Sequence, residues 1–427
     1  MMNIVSIIDK KSKGLSLTKE EINFFINSYM NGSTADYQAS SLLMAIKLKG
    51  LNDQELIDYT RALVNSGETF PLREEYVDKH STGGIGDKTS ITLLPILASM
   101  GLKVFKMSGR GLGFTGGTID KLESITGFNA ELDPKEVDDM VNEIGCSVTG
   151  QTPNLVPADG KIYALRDITA TVDSKELIAA SIIGKKIASG AKNILIDMKV
   201  GTGAFVSTIE EAKELSRLMK IIANDYERNL FVLFSTMEQP LGKSVGNKNE
   251  VVEAMEALEG KWAPDYKELI EKISTELYAK SKNVSIKEAA EKFNEVIDSG
   301  VAKEKQIEWF KSHGVKNIEE ATYFNPKHII EFKSDEKGYV SFGDVKQFGN
   351  ALIEIKAGRK VKEDILDFKS GIIFNKKQGD LVSKGELLFT VTSSNEIPES
   401  VVNSVRSNII INNNSKKTKV IIGELPW

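Results

Sequence analysis

Three short apolar runs, Leu102–Phe105, Ile194–Ile196 and Leu230–Phe234, are separated by stretches with helical periodicity, and this alternation restricts the fold more than any other feature. Short, mainly apolar runs are buried on both faces, as strands are in a parallel sheet covered by helices. Each run leads into small polar residues: "KMSGRG" from Lys106, "DMKVGTG" from Asp197 and "STMEQPLG" from Ser235. In such sheets ligands bind beyond the carboxyl ends of the strands, so these three segments mark the side where a site is expected.

Before the alternation begins, the chain reads as helices. Thr18 and Glu21 form a capping box ahead of Ile22, Phe25, Ile26 and Tyr29. "TADYQASSLLMAIKLKG" closes at Gly50, and "NDQELIDYTRALVNSG" opens with Asn52 and Glu55 and closes at Gly67. A later helix, Ser174 to Gly190, is expected to return to this bundle, which makes the helical unit discontinuous in sequence. From about Lys333, turn signals at Lys337-Gly338, Gly379-Asp380 and Lys384-Gly385 separate short strands. The expected class is α/β: a discontinuous helical domain hinged to a large mixed α/β domain with a C-terminal α+β subdomain. The expected boundaries are 1–67 and 158–190 for the helical domain, 72–155 and 191–332 for the α/β domain, and 333–427 for the subdomain.

Composition excludes several function classes. A net charge of −5 with 27% charged residues does not suit a nucleic-acid-coating protein, so any anion site has to be locally basic. Cys146 is the only cysteine, which excludes disulfides within the chain and argues for a reducing cytoplasm. The greasiest run, "ITLLPILASMGL", is short and interrupted by Pro95, so neither secretion nor a membrane span is expected.

Three clusters carry chemistry. In "KHSTGGIGDKTS" glycines let backbone amides approach a ligand, Lys79, Ser81 and Ser90 add donors, and a helix beginning near Thr89 adds its positive end. Alone, the segment reads equally well as an anion loop or a glycine-rich turn; it is neither a P-loop nor a dinucleotide fingerprint. "KMSGRGLGFTGGTIDKLES" repeats the logic with Lys106, Ser108 and Thr118, and two such loops at strand ends can enclose one tetrahedral oxyanion such as phosphate. In the third cluster Ser181 and Lys185 share a helix face, and Arg166 has to join them in space. An arginine fork with a lysine suits paired ring acceptors, a carboxylate or a phosphate, although a solvated basic face is the commoner outcome. His80, between Lys79 and Ser81, is a candidate proton donor, whereas His313 and His328 have no comparable setting.

Taken together, "KHSTGGIGDK", "KMSGRGLGFTGGTIDKLES", "YALRDITATVDS", "SIIGKKIASGA", "DMKVGTGAF", "QPLGKSVGN" and "AGRKVKED" resemble the pyrimidine-nucleoside and thymidine phosphorylase family over nearly the whole chain. The resemblance implies a homodimer formed through the helical domains, no organic cofactor, and phosphate as co-substrate. It implies that phosphate is held by Lys79, Ser81, Ser90, Lys106, Ser108 and Thr118. It places the pyrimidine of the nucleoside on Arg166, Ser181 and Lys185, with His80, Arg166 and Lys185 catalytic. The implied reaction is phosphorolysis, in which phosphate attacks C1′ of the sugar as the base departs. Two alternatives stay open, a thymidine-restricted phosphorylase and, more remotely, a phosphoribosyltransferase of the anthranilate type.

Some positions depart from the family pattern. Phe114 stands where histidine is usual in "GLGHTGG", and Ser90 replaces a threonine. Some members bind a monovalent cation such as K+ through loop carbonyls and a glutamate, and Gly86, Lys88, Leu241, Ser244 and Glu253 stand at those positions. Lys88 occupies a place where threonine is common. Either the ion is kept through the backbone carbonyl of residue 88, or the Lys88 ammonium replaces it beside Glu253.

Overall fold

The computed structural model describes residues 2–111, 113–150, 154–361 and 364–427. Leu112, in the second glycine cluster, and Lys362 and Glu363, in "AGRKVKED", lie outside the described residues.

Four helices open the chain: α1 (Ile4–Ser12), α2 (Lys19–Met30), α3 (Asp36–Lys49) and α4 (Asp53–Val64). The expected capping boxes form at α2, where Glu21 N donates to Thr18 Oγ1 at 3.3 Å, and at α4, where Glu55 N donates to Asn52 Oδ1 at 2.9 Å. α3 ends as its sequence signals, with Gly50 at a positive φ of 72°. α4 does not run to Gly67; it stops at Asn65, and Gly67 is small for another reason, because a Cβ there would overlap the Asn154 carbonyl and the Pro157 ring.

Beyond Pro71 the strands β1 (Arg73–Ser81), β2 (Lys103–Met107), β3 (Cys146–Thr149), β4 (Ala191–Val200) and β5 (Asn229–Thr236) form one parallel array. The C-terminal strand Ile421–Leu425 adds antiparallel to β5, giving the spatial order C-terminal strand, β5, β4, β1, β2, β3. Successive strand residues point to opposite faces. On β4, Ile194, Ile196 and Met198 therefore join the core shared with the helical unit, while Leu195 joins the core on the other face. That second face is covered by α5 (Thr89–Ser99) and the helices between residues 248 and 312. Between the strands lie α6 (Thr118–Glu123), α7 (Pro134–Ile144), α8 (Pro157–Ile168) and α9 (Lys175–Ala188).

α8 and α9 pack back onto α2, α3 and α4, so the helical unit is built from two separated stretches. The crossings lie side by side: Glu68 N donates to Asn154 O at 2.9 Å and Phe70 N to Ala188 O at 2.8 Å. A third core belongs to the C-terminal unit, whose four-stranded sheet borrows the short strand Ser244–Gly246 from the preceding domain. Its helix Lys346–Glu354 lies against the second glycine cluster so closely that any side chain at Gly349 would overlap the Phe114 carbonyl.

Candidate active site

β1 and β2 are adjacent and parallel, so the segments that follow them emerge side by side. Lys79 and His80 are the last residues before Ser81, at the end of β1. The Lys79 ammonium donates to Thr89 Oγ1 and lies 3.5 Å from Asp197 and 3.9 Å from Asp87. The turn is anchored on β4, because Thr82 N donates to Asp197 O at 3.2 Å and Lys199 N to Thr82 Oγ1 at 2.9 Å. Thr89 and Ser90 open α5, so the positive end of the helix dipole lies beside the loop, with Thr89 N donating to Asp87 Oδ1 at 3.3 Å.

The second loop meets the first. Lys106 donates to the Lys79 carbonyl and lies 3.5 Å from Asp78. Lys121 reaches back to Asp87 O at 2.7 Å and pairs with Glu250 at 2.8 Å, which ties the two loops together. Asp120 holds the glycine cluster in shape by accepting from Gly111 N at 2.6 Å and from Arg359 at 2.7 Å. Gly111 and Gly117 touch backbone to backbone, where no side chain fits. Ser108 follows β2 and Thr118 begins α6.

Beneath the loops four ammonium groups, Lys79, Lys106, Lys186 and Lys199, face three carboxylates, Asp78, Asp87 and Asp197. With all four lysines charged, the cluster carries one positive charge in excess. Burial lowers Lys79 from its ordinary value, and burial together with Lys186 pushes Lys106 down to about 7. Burial on its own would raise Asp87, but Lys79, Lys199 and Lys121 hold it well below the carboxylate range. His80 is held well below the usual histidine range, first by desolvation and then by Lys186, Lys106, Lys79 and Lys185. In the ligand-free site it is a neutral imidazole with one N–H to offer, rather than an imidazolium acid.

On the helical unit, Ser181 and Lys185 lie together on α9 as expected, with Lys185 Nζ 2.8 Å from Ser181 Oγ. A residue that the sequence did not single out joins them: Asp159 on α8 accepts from Ser181 Oγ at 3.0 Å and pairs with Lys185. Arg166 faces elsewhere. Its guanidinium, 1% exposed, donates to Thr171 O at 3.2 Å, Leu177 O at 3.3 Å and Val172 O at 2.7 Å. It makes no bond to Ser181 or Lys185, and three of its five N–H donors are already engaged.

The positions considered for a cation hold a different arrangement from the first of the two expected. The Lys88 ammonium itself donates to Gly86 O at 2.9 Å, Leu241 O at 2.8 Å and Ser244 O at 3.1 Å, and Glu253 lies 3.2 Å away. The oxygens meant for K+ do not fit a separate ion beside that group. Phe114, the other departure, stacks obliquely on Phe205 with ring centres 5.0 Å apart, and the Lys346 ammonium lies 4.9 Å from its ring centre.

Comparison with known proteins agrees with this architecture. The family models for the glycosyl transferase family match its helical bundle domain at residues 5–67 and its α/β domain at residues 73–303. The pyrimidine nucleoside phosphorylase C-terminal domain matches residues 339–412. The chain is 45% identical over 417 residues to a pyrimidine-nucleoside phosphorylase of Staphylococcus haemolyticus (strain JCSC1435), with 96% of both chains covered. It is 44% identical over 420 residues to one from Staphylococcus aureus (strain N315), again covering 96% of each. Among solved structures, anthranilate phosphoribosyltransferase from Thermus thermophilus shares the fold, with a TM-score of 0.58 at 18% identity, covering 72% of this chain and 99% of that one. With paired glycine loops on parallel strands, a two-segment helical unit and near-complete alignment to these relatives, the chain belongs to the pyrimidine-nucleoside phosphorylase family.

Proposed function

We propose that the chain catalyses reversible phosphorolysis of pyrimidine nucleosides, yielding the free base and a pentose 1-phosphate. The observation that carries this reading is the lysine network under two glycine loops, beside which Ser181, Lys185 and Asp159 of the helical unit lie close enough for the Lys185 charge to act on His80. Lys79, Ser81, Ser90, Lys106, Ser108 and Thr118 hold phosphate, and the α5 N-terminus adds its dipole. Lys185 and Ser181 hold the pyrimidine, oriented by Asp159, while Arg166 contacts a ring acceptor only when its guanidinium turns from the Thr171, Val172 and Leu177 carbonyls that hold it in the ligand-free protein.

In the reaction a phosphate oxygen bonds to C1′ while the C1′–N1 bond breaks, and its electron pair passes to the pyrimidine. Positive charge grows on the sugar beside an anionic nucleophile, and negative charge on the base is met by Lys185 and Arg166. His80 donates a hydrogen bond to the base oxygen from its neutral ring. Bound phosphate offsets the surrounding ammonium charges and raises its proton affinity as the base leaves. The names of the curated relatives favour broad pyrimidine use over thymidine alone. The enzyme acts in nucleoside salvage and catabolism in the cytoplasm, a reading that fits the single buried cysteine; among the described residues no helix is long and apolar enough to cross a membrane.

Homodimers form through the helical unit. Val5 on α1, and Tyr37 and Leu48 on α3, are 63%, 75% and 70% exposed; Tyr37 and Leu48, about three turns apart, share one face. Light scattering is expected to give twice the 47.0 kDa chain mass and the single mass for the Tyr37→Glu, Leu48→Glu variant. A monomeric wild type removes this assembly.

For the reaction, phosphate-dependent base release is expected from uridine, thymidine and deoxyuridine, and none from inosine. Lys79→Ala is expected to cost roughly 100-fold or more in kcat/KM for phosphate, whereas Lys185→Ala acts mainly on the nucleoside. No release from any pyrimidine nucleoside rejects the reading, and dependence on pyrophosphate points to a phosphoribosyltransferase. For His80, ¹³C-labelled histidine NMR is expected to show a neutral ring at pH 6 in the ligand-free protein, with the titration moving upward when phosphate is added. A ring already charged at pH 6 without phosphate would contradict the crowding by lysines.

A further inference from the structure

Lys88 precedes α5, at the foot of the first glycine loop, yet its side chain is fully buried beside Glu253. Three backbone carbonyls from two different loops converge on its ammonium, and each of its three protons has one acceptor. The loops are shaped for that contact. Gly86 adopts a φ of 78°, and a side chain there would stand 2.7 Å from Leu241 O. Gly242 has a φ of 68°, and a Cβ on it would lie 2.9 Å from the Lys88 ammonium. Glu253 completes the cage while accepting from the backbone amides of Lys243 at 2.7 Å and Ser244 at 2.6 Å.

Charge in this pocket is closed. Lys88 pairs with Glu253 at 3.2 Å, and the neighbouring Lys377 pairs with Asp265 at 2.9 Å while donating to Gly242 O. The Tyr266 ring faces Lys88 at 5.1 Å, and its hydroxyl donates to Lys88 O at 3.3 Å. A further cation among these oxygens would sit within contact distance of an ammonium, with no carboxylate left to balance it. The cage is also a junction. It joins the phosphate-side loop to residues 241–244, and the strand that follows, Ser244–Gly246, enters the C-terminal sheet.

We infer that Lys88 is a built-in monovalent cation: its tethered ammonium replaces the K+ that the family pattern would place here, and it fixes the glycine loop and the C-terminal unit without any metal. Lys88 is a positioning residue that acts through Gly86 and the first turn of α5. Only the rate measurements below rest on the phosphorolysis reading; the melting measurements are independent of it.

The test is a KCl titration of the purified wild-type protein at constant ionic strength, balanced with choline chloride, reading both melting temperature and initial rate. Both are expected to stay flat. Lys88→Thr opens the cage: in choline it is expected to melt lower and to lose roughly tenfold or more in kcat/KM for phosphate. K+ or ammonium should restore both properties saturably, and Li+ should not. Saturable, ion-specific stimulation or stabilisation of the wild type by K+ overturns the inference. So does a Lys88→Thr protein that is as stable and active in choline as the wild type. If Lys88→Thr folds in neither salt, the wild-type titration decides the question alone. If no base release is detected at all, the melting curves still decide it while the activity reading fails.

Discussion

Two buried aspartates, each shared between two lysines, hold the site and the fold together. Asp197 lies 2.7 Å from Lys199 and 3.5 Å from Lys79; Asp78 lies 2.8 Å from Lys186 and 3.5 Å from Lys106. Desolvating this many charges is unfavourable, and removing one partner of such a pair costs about 3–5 kcal/mol because the other is left buried alone. The arrangement persists because each of these two carboxylates serves two cations, which leaves a surplus of positive charge for an anion to complete. Lys186 comes from α9 and Asp78 from β1, so the same network spans the crossing between the helical unit and the sheet.

The glycine loops are shaped from outside as much as from within. Arg359 of the C-terminal unit fixes Asp120, which in turn fixes Gly111; Gly349 admits the Phe114 carbonyl; and Lys88 pins the first loop to residues 241–244. Phe114 and Phe205 bring an apolar contact to a place where the family pattern has a polar side chain. Phe205, in the turns beyond β4, remains 60% exposed, so the pair reaches the protein surface. A loop rich in glycine is floppy when isolated, and here its entropy is removed by contacts from the α/β domain and the C-terminal unit.

Local signals in the sequence were legible where local physics decides the structure. The N-terminal caps of α2 and α4, the end of α3, and strands β2, β4 and β5 follow from side-chain pattern and turn chemistry. β1 was hidden, because "REEYVDKHS" carries more charge than apolar surface, and its burial depends on ion pairs from other elements. Asp159, Asp78 and Asp197 were equally silent: a carboxylate gives no sign in sequence of the lysine that will find it. The turn of Arg166 to backbone carbonyls is decided by loop carbonyls that no side-chain pattern announces, whereas the place of Lys88 beside Glu253 was one of the two alternatives that the resemblance left open. The final strand, Ile421–Leu425, returns to β5 through pairing that is equally unmarked in the local sequence.

The central claim is that an anion completes the lysine network at the strand ends and charges Lys106 as it binds. Lys106, pushed down to about 7 by burial and neighbouring ammonium groups, is largely unprotonated at pH 8 in the ligand-free protein. A phosphate dianion seated beside it raises its proton affinity, so binding takes up a proton between the depressed value and the ordinary lysine range near 10.4. Calorimetric titration of phosphate at pH 8, in buffers of different ionisation enthalpy, measures that uptake directly. The account predicts uptake approaching one proton per phosphate, lost in Lys106→Met. Phosphate binding with no net proton uptake would contradict it.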